Sequence, residues 1–160
     1  MYRADAATSF ERTITWYPER RLRSADFMGD TAARPFRAAS YCGITYHGDH
    51  VGPKVSVVVE ALFDHHLSYF KRGADDAEVL IHEHVHFDMV ELFARILRKR
   101  ITETSFAGAD LNSTLQHLHT TVSRELAIEQ DRYDAEIYAD RSKQPFWSDA
   151  TRSRFADWKR

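Results

Sequence analysis

Three histidines lie within five residues in the stretch IHEHVH, which spans residues 81–86. Among them, His82, Glu83 and His86 satisfy the pattern H-E-x-x-H. Residues four apart on a helix lie about 40° apart around its axis, so two such imidazoles can point at one ion. We therefore predict a zinc site with His82 and His86 as ligands and Glu83 as the general base that acts on a water molecule.

His84, the third histidine, cannot join this group. It points about 160° away from His82 and His86 around the helix axis, since each residue turns the direction by roughly 100°. We expect its imidazole to be solvated on the polar face of the helix, which also carries Asp88, Glu91 and Arg95. Glu91 and Arg95 are spaced for an ion pair on that face.

A zinc site of this kind needs a third protein ligand. The second long helix predicted below places carboxylates at positions of its apolar stripe, and a buried carboxylate is costly unless it is paired or coordinated. The candidate third ligands are Glu136, which we prefer, and its competitors Asp134 and Glu129. Tyr133 lies on the same stripe and is the candidate donor to a developing oxyanion, with Tyr138 or His119 as alternatives.

The preference for Glu136 comes from its neighbours. The segment EIYAD, residues 136–140, resembles the third-ligand helix of gluzincin peptidases. In that helix a downstream aspartate supports a ligating histidine. The resemblance thus implies that Asp140 orients one of the two histidines.

The elements that must position these residues follow from hydrophobic periodicity. Alternation with period two predicts strands within residues 11–17, 36–46 and 54–63. Turn-forming residues predict loops between them, at Pro35, Gly48, Gly52 and Pro53.

After Phe63 the period becomes helical. Asp75 and Glu78 resemble a capping box, so one long helix should begin just after Asp75 and end before Gly108. Asp110 should N-cap a second. The stripe of the second helix is Leu111, Leu115, Leu118, Val122 and Leu126. A short helix around Trp147 should pack back against the rest of the protein. The prediction is an α+β protein, with a small N-terminal antiparallel sheet followed by the H-E-x-x-H helix and a second long helix.

Composition limits the function classes. The 160 residues predict a single domain, and the formal charge of −2 gives no reason to expect a nucleic acid as partner. No run is apolar enough to insert into a membrane, and the N-terminus lacks the apolar core of a secretory signal, which favours an unexported protein. The one cysteine, Cys42, excludes an intrachain disulfide. These features leave the oligomeric state open.

Residues 82–95, HEHVHFDMVELFAR, match a longer pattern, H-E-x-x-H-F-D-x-x-E-L-x-A-R. With LRSADFMG at residues 22–29, this pattern resembles a bacterial domain family described as a secreted zinc-dependent protease. A later family motif is matched at Gln130, Tyr133, Asp134, Glu136, Gln144 and Trp147. The chain departs from that motif at Ile137, Ala139 and Asp140, where the family has Thr, His and Gly.

The resemblance implies a zincin-like fold and a zinc metallopeptidase that acts on peptides or proteins, in the periplasm or outside the cell. The departures favour an alternative, a catalytically inactive binding module of the same fold that zinc stabilises. A di-iron carboxylate protein is disfavoured, because such a site needs a second E-x-x-H and the chain has none.

Overall fold

The chain folds into small antiparallel sheets followed by two long helices and a shorter third one. A computed structural model describes residues 12–51, 54–73, 75–106 and 110–158. The strands are β1 (Thr13–Thr15), β2 (Ala38–Ala39), β3 (Cys42–Val51), β4 (Lys54–Asp64) and β5 (Tyr69–Phe70). The helices are α1 (Asp76–Glu103), α2 (Leu111–Ala139) and α3 (Gln144–Ser153). The predicted α+β class is confirmed.

The main sheet has the order β1–β4–β3 and is antiparallel throughout. Its central strand, β4, buries alternate residues, Val59, Ala61 and Phe63, and leaves Val58 exposed. This is the period-two pattern from which the strand was predicted. One face of the sheet therefore belongs to the core.

The single strand predicted over residues 36–46 is wrong, because this segment divides between two sheets. β2 pairs with β5, and β3 pairs with β4. Between them, the backbone N–H of Tyr41 donates to Ser68 Oγ at 2.9 Å, and its carbonyl accepts from the N–H of Asp64 at 2.8 Å. The chain thus passes from one sheet to the other at Tyr41. The alternation of apolar and polar residues continues through this point.

Gly48 was predicted in a loop but lies inside β3, opposite Val57. A Cβ atom at this position would stand 2.6 Å from Leu115 Cδ1 of α2. The glycine therefore lets the long helix approach the strand closely. Of the other predicted breaks, Pro35 precedes β2, and Gly52, Pro53 and Gly108 lie outside the described residues.

Helix α1 is the centre of the molecule. It packs against β3 and β4, α2 and α3, so protein covers it on most sides. Every residue from 83 to 97 except His86 is buried. The helix starts one residue after Asp75, as predicted, but the Asp75 carboxylate makes no cap and pairs with Arg37.

The second helix and the C-terminal segment follow the predictions. Asp110 caps α2 by accepting a hydrogen bond from the backbone N–H of Ser113 at 3.0 Å. α3 packs back on the molecule through the buried Trp147. The stripe of α2 contributes Leu111, Leu115, Val122 and Leu126 to the buried residues.

The prediction that His84 and Asp88 are solvated is wrong, because both are buried, with contacts to residues 16–22 and to α3. His84 Nε2 lies 2.9 Å from a guanidinium nitrogen of Arg21 and 3.4 Å from Asp88 Oδ1. Asp88 also accepts from Trp16 Nε1 at 2.8 Å and from Arg152 Nε at 3.0 Å. Burial acts to raise the pKa of Asp88, but the hydrogen bonds outweigh it and hold that pKa below its usual value.

Glu91 and Arg95 are also buried, although they were predicted on the solvated face. They form the expected ion pair, with Arg95 Nε 2.9 Å from Glu91 Oε1, and Arg98 adds a second cation at 3.2 Å. Arg95 further donates to the backbone carbonyls of Phe155 and Trp158. The polar face of α1 is thus an interior network that fastens the C-terminal segment to the helix.

Replacing Asp88 with alanine should lower the free energy of unfolding by about 3 kcal/mol or more, because it leaves buried donors without an acceptor. Urea denaturation of the metal-free protein would measure this. Glu103→Ala, which removes an exposed carboxylate of the same helix, should change stability by less than about 0.5 kcal/mol. Equal effects of the two substitutions would show that Asp88 is not buried.

Candidate metal centre

His82 and His86 lie one turn apart on α1 and direct their imidazoles to one point. Their Nε2 atoms are 3.2 Å apart, and both side chains are mostly buried. The close approach follows from the four-residue spacing, which places both residues on the same face of the helix. The sequence prediction that these two histidines act together agrees with this geometry.

Asp134 of α2 supplies the third polar atom. Its Oδ1 lies 3.1 Å from His82 Nε2 and 3.0 Å from His86 Nε2. Burial alone would raise the pKa of this carboxyl, but the hydrogen bonds and charges of the two imidazoles outweigh it and hold the pKa well below its usual range. The carboxylate is therefore ionised next to two imidazole nitrogens.

The three atoms have the separations that one small metal ion requires. Bonds of 2.0–2.1 Å in a tetrahedral arrangement place neighbouring ligand atoms about 3.3 Å apart. The observed separations of 3.0, 3.1 and 3.2 Å are close to that value. His82, His86 and Asp134 thus form a half-buried group that could hold a metal ion.

Glu136, the preferred third ligand, is not part of this group. Its carboxylate accepts from Arg132 Nε at 3.0 Å and from Trp147 Nε1 at 3.1 Å. The hydrogen bonds from Trp147 and Arg132 lower the pKa of Glu136. Residues 134 and 136 point about 160° apart around the helix axis, so one faces the histidines and the other faces α3.

Two further predicted residues have other partners. Glu129 pairs with Arg154 at 2.8 Å. Asp140 follows the last residue of α2 and accepts from the backbone N–H and hydroxyl of Ser142, at 3.0 and 2.7 Å. Asp140 therefore ends the helix and does not orient a histidine, because its carboxylate is bonded to Ser142.

Tyr133 is fully buried against the two imidazoles. Its ring stacks on His82 with centroids 4.7 Å apart and meets His86 edge-on at 5.0 Å. Its hydroxyl donates to Gln144 Oε1 at 2.7 Å and lies 3.3 Å from the backbone carbonyl of His82. Burial raises its pKa far above the usual value. Because the hydroxyl is engaged inside the protein, Tyr133 supports the imidazoles and is not placed to bind an oxyanion.

The sequence assigned no role to Gln144, which the structure connects to the site through Tyr133. One sequence signal was present, since Gln144 and Trp147 both match the later family motif. In the structure both side chains bond to residues of α2. His119, an alternative oxyanion donor, bonds to the Ile44 carbonyl at 2.8 Å, and we therefore discard it.

Glu83 and Tyr138 line a pocket of about 860 Å³ that opens beside His82. Glu83 is 5% exposed. Ser40 Oγ donates to the backbone carbonyl of Glu83 at 3.5 Å, and the hydrogen bonds found among the described residues include none to the Glu83 carboxylate. Tyr138 is 67% exposed, and partial burial together with the charges of Asp134 and Glu83 raises its pKa.

Fold and site together define an α+β protein with a group of two histidines and one carboxylate that could hold a metal ion. No family model, curated protein or solved structure matches the chain. Among the described residues, no helix is long and apolar enough to cross a membrane.

Asp134→Ala should weaken the binding of a divalent metal ion by at least about a hundredfold, because it removes one of three ligands. Competition between Zn²⁺ or Co²⁺ and a chromophoric chelator would measure the affinity. Glu136→Ala is the matched control on the same helix and should change the affinity by less than about threefold, because its carboxylate is turned away. The opposite result would reassign the third ligand to Glu136.

Proposed function

We propose that this protein is a zinc-dependent peptidase that hydrolyses peptide bonds with Glu83 as its general base. The observation that carries the proposal is the juxtaposition of two groups. His82, His86 and Asp134 converge as candidate ligands, and Glu83, which follows the first of them, lines a pocket. A hydrolase needs both a ligand set and a base beside it.

Zinc is the proposed metal because its catalytic sites combine three protein ligands with an open fourth position. Two imidazoles and one carboxylate are such a set. The same donors also occur in non-haem iron oxygenases, but those sites do not need a carboxylate base next to the metal. The position of Glu83 therefore favours hydrolysis.

In the proposed mechanism, His82, His86 and Asp134 would hold the zinc ion, which would supply Lewis-acid chemistry that makes a water molecule nucleophilic at neutral pH. Glu83 takes a proton from that water as the oxygen bonds to the peptide carbonyl carbon. When the C–N bond breaks, Glu83 returns the proton to the leaving amine. Tyr138 replaces Tyr133 as the proposed donor to the carbonyl oxygen, because its exposed hydroxyl can reach the pocket.

The alternative is a binding module in which the metal serves only to join α1 to α2. It is favoured by the positions that depart from the family pattern. Ile137 is buried in the core, Ala139 is exposed, and Asp140 bonds to Ser142. None of these three brings a further polar group to the metal ligands, so the proposed catalysis depends on Glu83 and Tyr138.

Glu83→Gln should lower kcat for peptide hydrolysis by about a hundredfold to ten-thousandfold while zinc stays bound, because the amide cannot accept the proton. Cleavage of a peptide library, followed by mass spectrometry, together with zinc analysis would measure both properties. Glu103→Gln is the control on the same helix and should keep full activity. Stoichiometric zinc without cleavage in the unmodified protein would favour the binding module.

Tyr138→Phe should lower kcat by about tenfold to a hundredfold and change KM little, because the lost hydrogen bond forms only as the carbonyl oxygen becomes negative. Tyr133→Phe should instead reduce the melting temperature and the zinc affinity, since that hydroxyl bonds inside the protein. Steady-state kinetics and thermal denaturation of both variants would separate the two roles. A loss of kcat confined to Tyr133→Phe would return the donor role to Tyr133.

A further inference from the structure

The pocket beside Glu83 has mostly apolar walls contributed by four parts of the chain. They are the segment before β2, the first turns of α1, the end of α2 and the start of α3. Its volume of about 860 Å³ is ample for a large side chain and the backbone that bears it. The larger apolar lining residues are Phe36, Val79, Ile81, Ile137, Tyr138 and Pro145, and Pro35 and Ala38 add to them.

Large apolar side chains in this pocket remain open to solvent. Phe36 is 58% exposed and Ile81 is 48% exposed, and both face the same concavity as Tyr138. A single exposed apolar residue is ordinary on a protein surface, but several around one concave site are typical of ligand recognition. The location next to a proposed catalytic base identifies the ligand as the substrate.

Four of the charged residues that line the pocket take part in ion pairs. Arg37 bonds to Asp75 and Asp76, the latter at 2.9 Å. Arg141 lies 3.4 Å from Asp75 and 3.7 Å from Glu78. A charged substrate side chain would have to compete with these pairs, whereas an apolar side chain would not.

We propose that this pocket is the substrate subsite for a large apolar side chain, such as Phe or Leu, adjacent to the bond that is cleaved. The inference rests on the proposed function for the place of cleavage, but selective binding by the pocket can be measured without it.

The binding experiment uses zinc-loaded Glu83→Gln protein, so that bound peptide is not cleaved. Fluorescein-labelled hexapeptides that differ at one position, with Phe, Leu, Ser, Glu or Lys, are titrated by fluorescence anisotropy. Phe and Leu peptides should bind at least about tenfold more tightly than the other three. Equal affinities, or tighter binding of Glu or Lys, would overturn the proposal.

Variants in the same Glu83→Gln background assign the selectivity to the pocket. Ile81→Ala and Phe36→Ala should each reduce the preference for Phe over Ser by at least about threefold. Ile128→Ala is the matched control, because Ile128 is 64% exposed on α2 and does not line the pocket. Loss of selectivity in Ile128→Ala alone would place the subsite elsewhere.

Circular dichroism and zinc content would show that each variant retains its fold and its metal.

Cleavage by the unmodified protein separates the subsite from the proposed function. Mass spectrometry of a digested peptide library should find cleavage next to Phe, Leu, Ile or Tyr. Cleavage without preference would overturn the subsite and leave the peptidase intact. No cleavage, combined with tight binding of the Phe peptide to the Glu83→Gln protein, would overturn the peptidase and leave the subsite intact.

Discussion

The burial of α1 is the constraint on which the rest of the structure depends. A helix covered by a sheet and two other helices still carries many charged and polar residues, and each needs a partner inside the protein. Asp88 finds its partners in Trp16 and Arg152 of distant segments, whereas Glu91 pairs with Arg95 and Arg98 of the same helix. Nearer the start of the helix, His82 and His86 meet one carboxylate, and Glu83 faces a pocket. The candidate site lies at the end of α1 where its buried polar groups meet a solvent-filled pocket.

The rotation of α2 about its own axis decides which groups reach the histidines. Asp134 faces them, and Tyr133 packs beneath them with its hydroxyl between the two helices. On another face, Glu136 bonds to Trp147 of α3. Gly48 contributes to the same arrangement, because the strand has no side chain where Leu115 approaches. The positions of the candidate metal ligands therefore depend on how the helices pack against each other and against the sheet.

This dependence explains which features could be predicted from the sequence. The long helices, β4 and the pairing of His82 with His86 follow from local periodicity, which the sequence displays directly. The choice of Asp134 over Glu136 does not, since it depends on the orientation of α2 relative to α1. The burial of His84 and Asp88 was missed for a related reason. A polar face usually indicates solvent, but a central helix can pair such a face with other parts of the chain. β5 is two residues long and has no readable period.

The contacts between α1 and α3 also bear on the order in which the protein can assemble. Arg152 is separated from Asp88 by 64 positions, and Arg95 bonds to the carbonyl of Phe155, 60 positions away. Such distant partners must be brought together by closing long loops, which slows folding. On the ribosome, the central helix would remain without these partners until residues 152–155 had emerged from the exit tunnel.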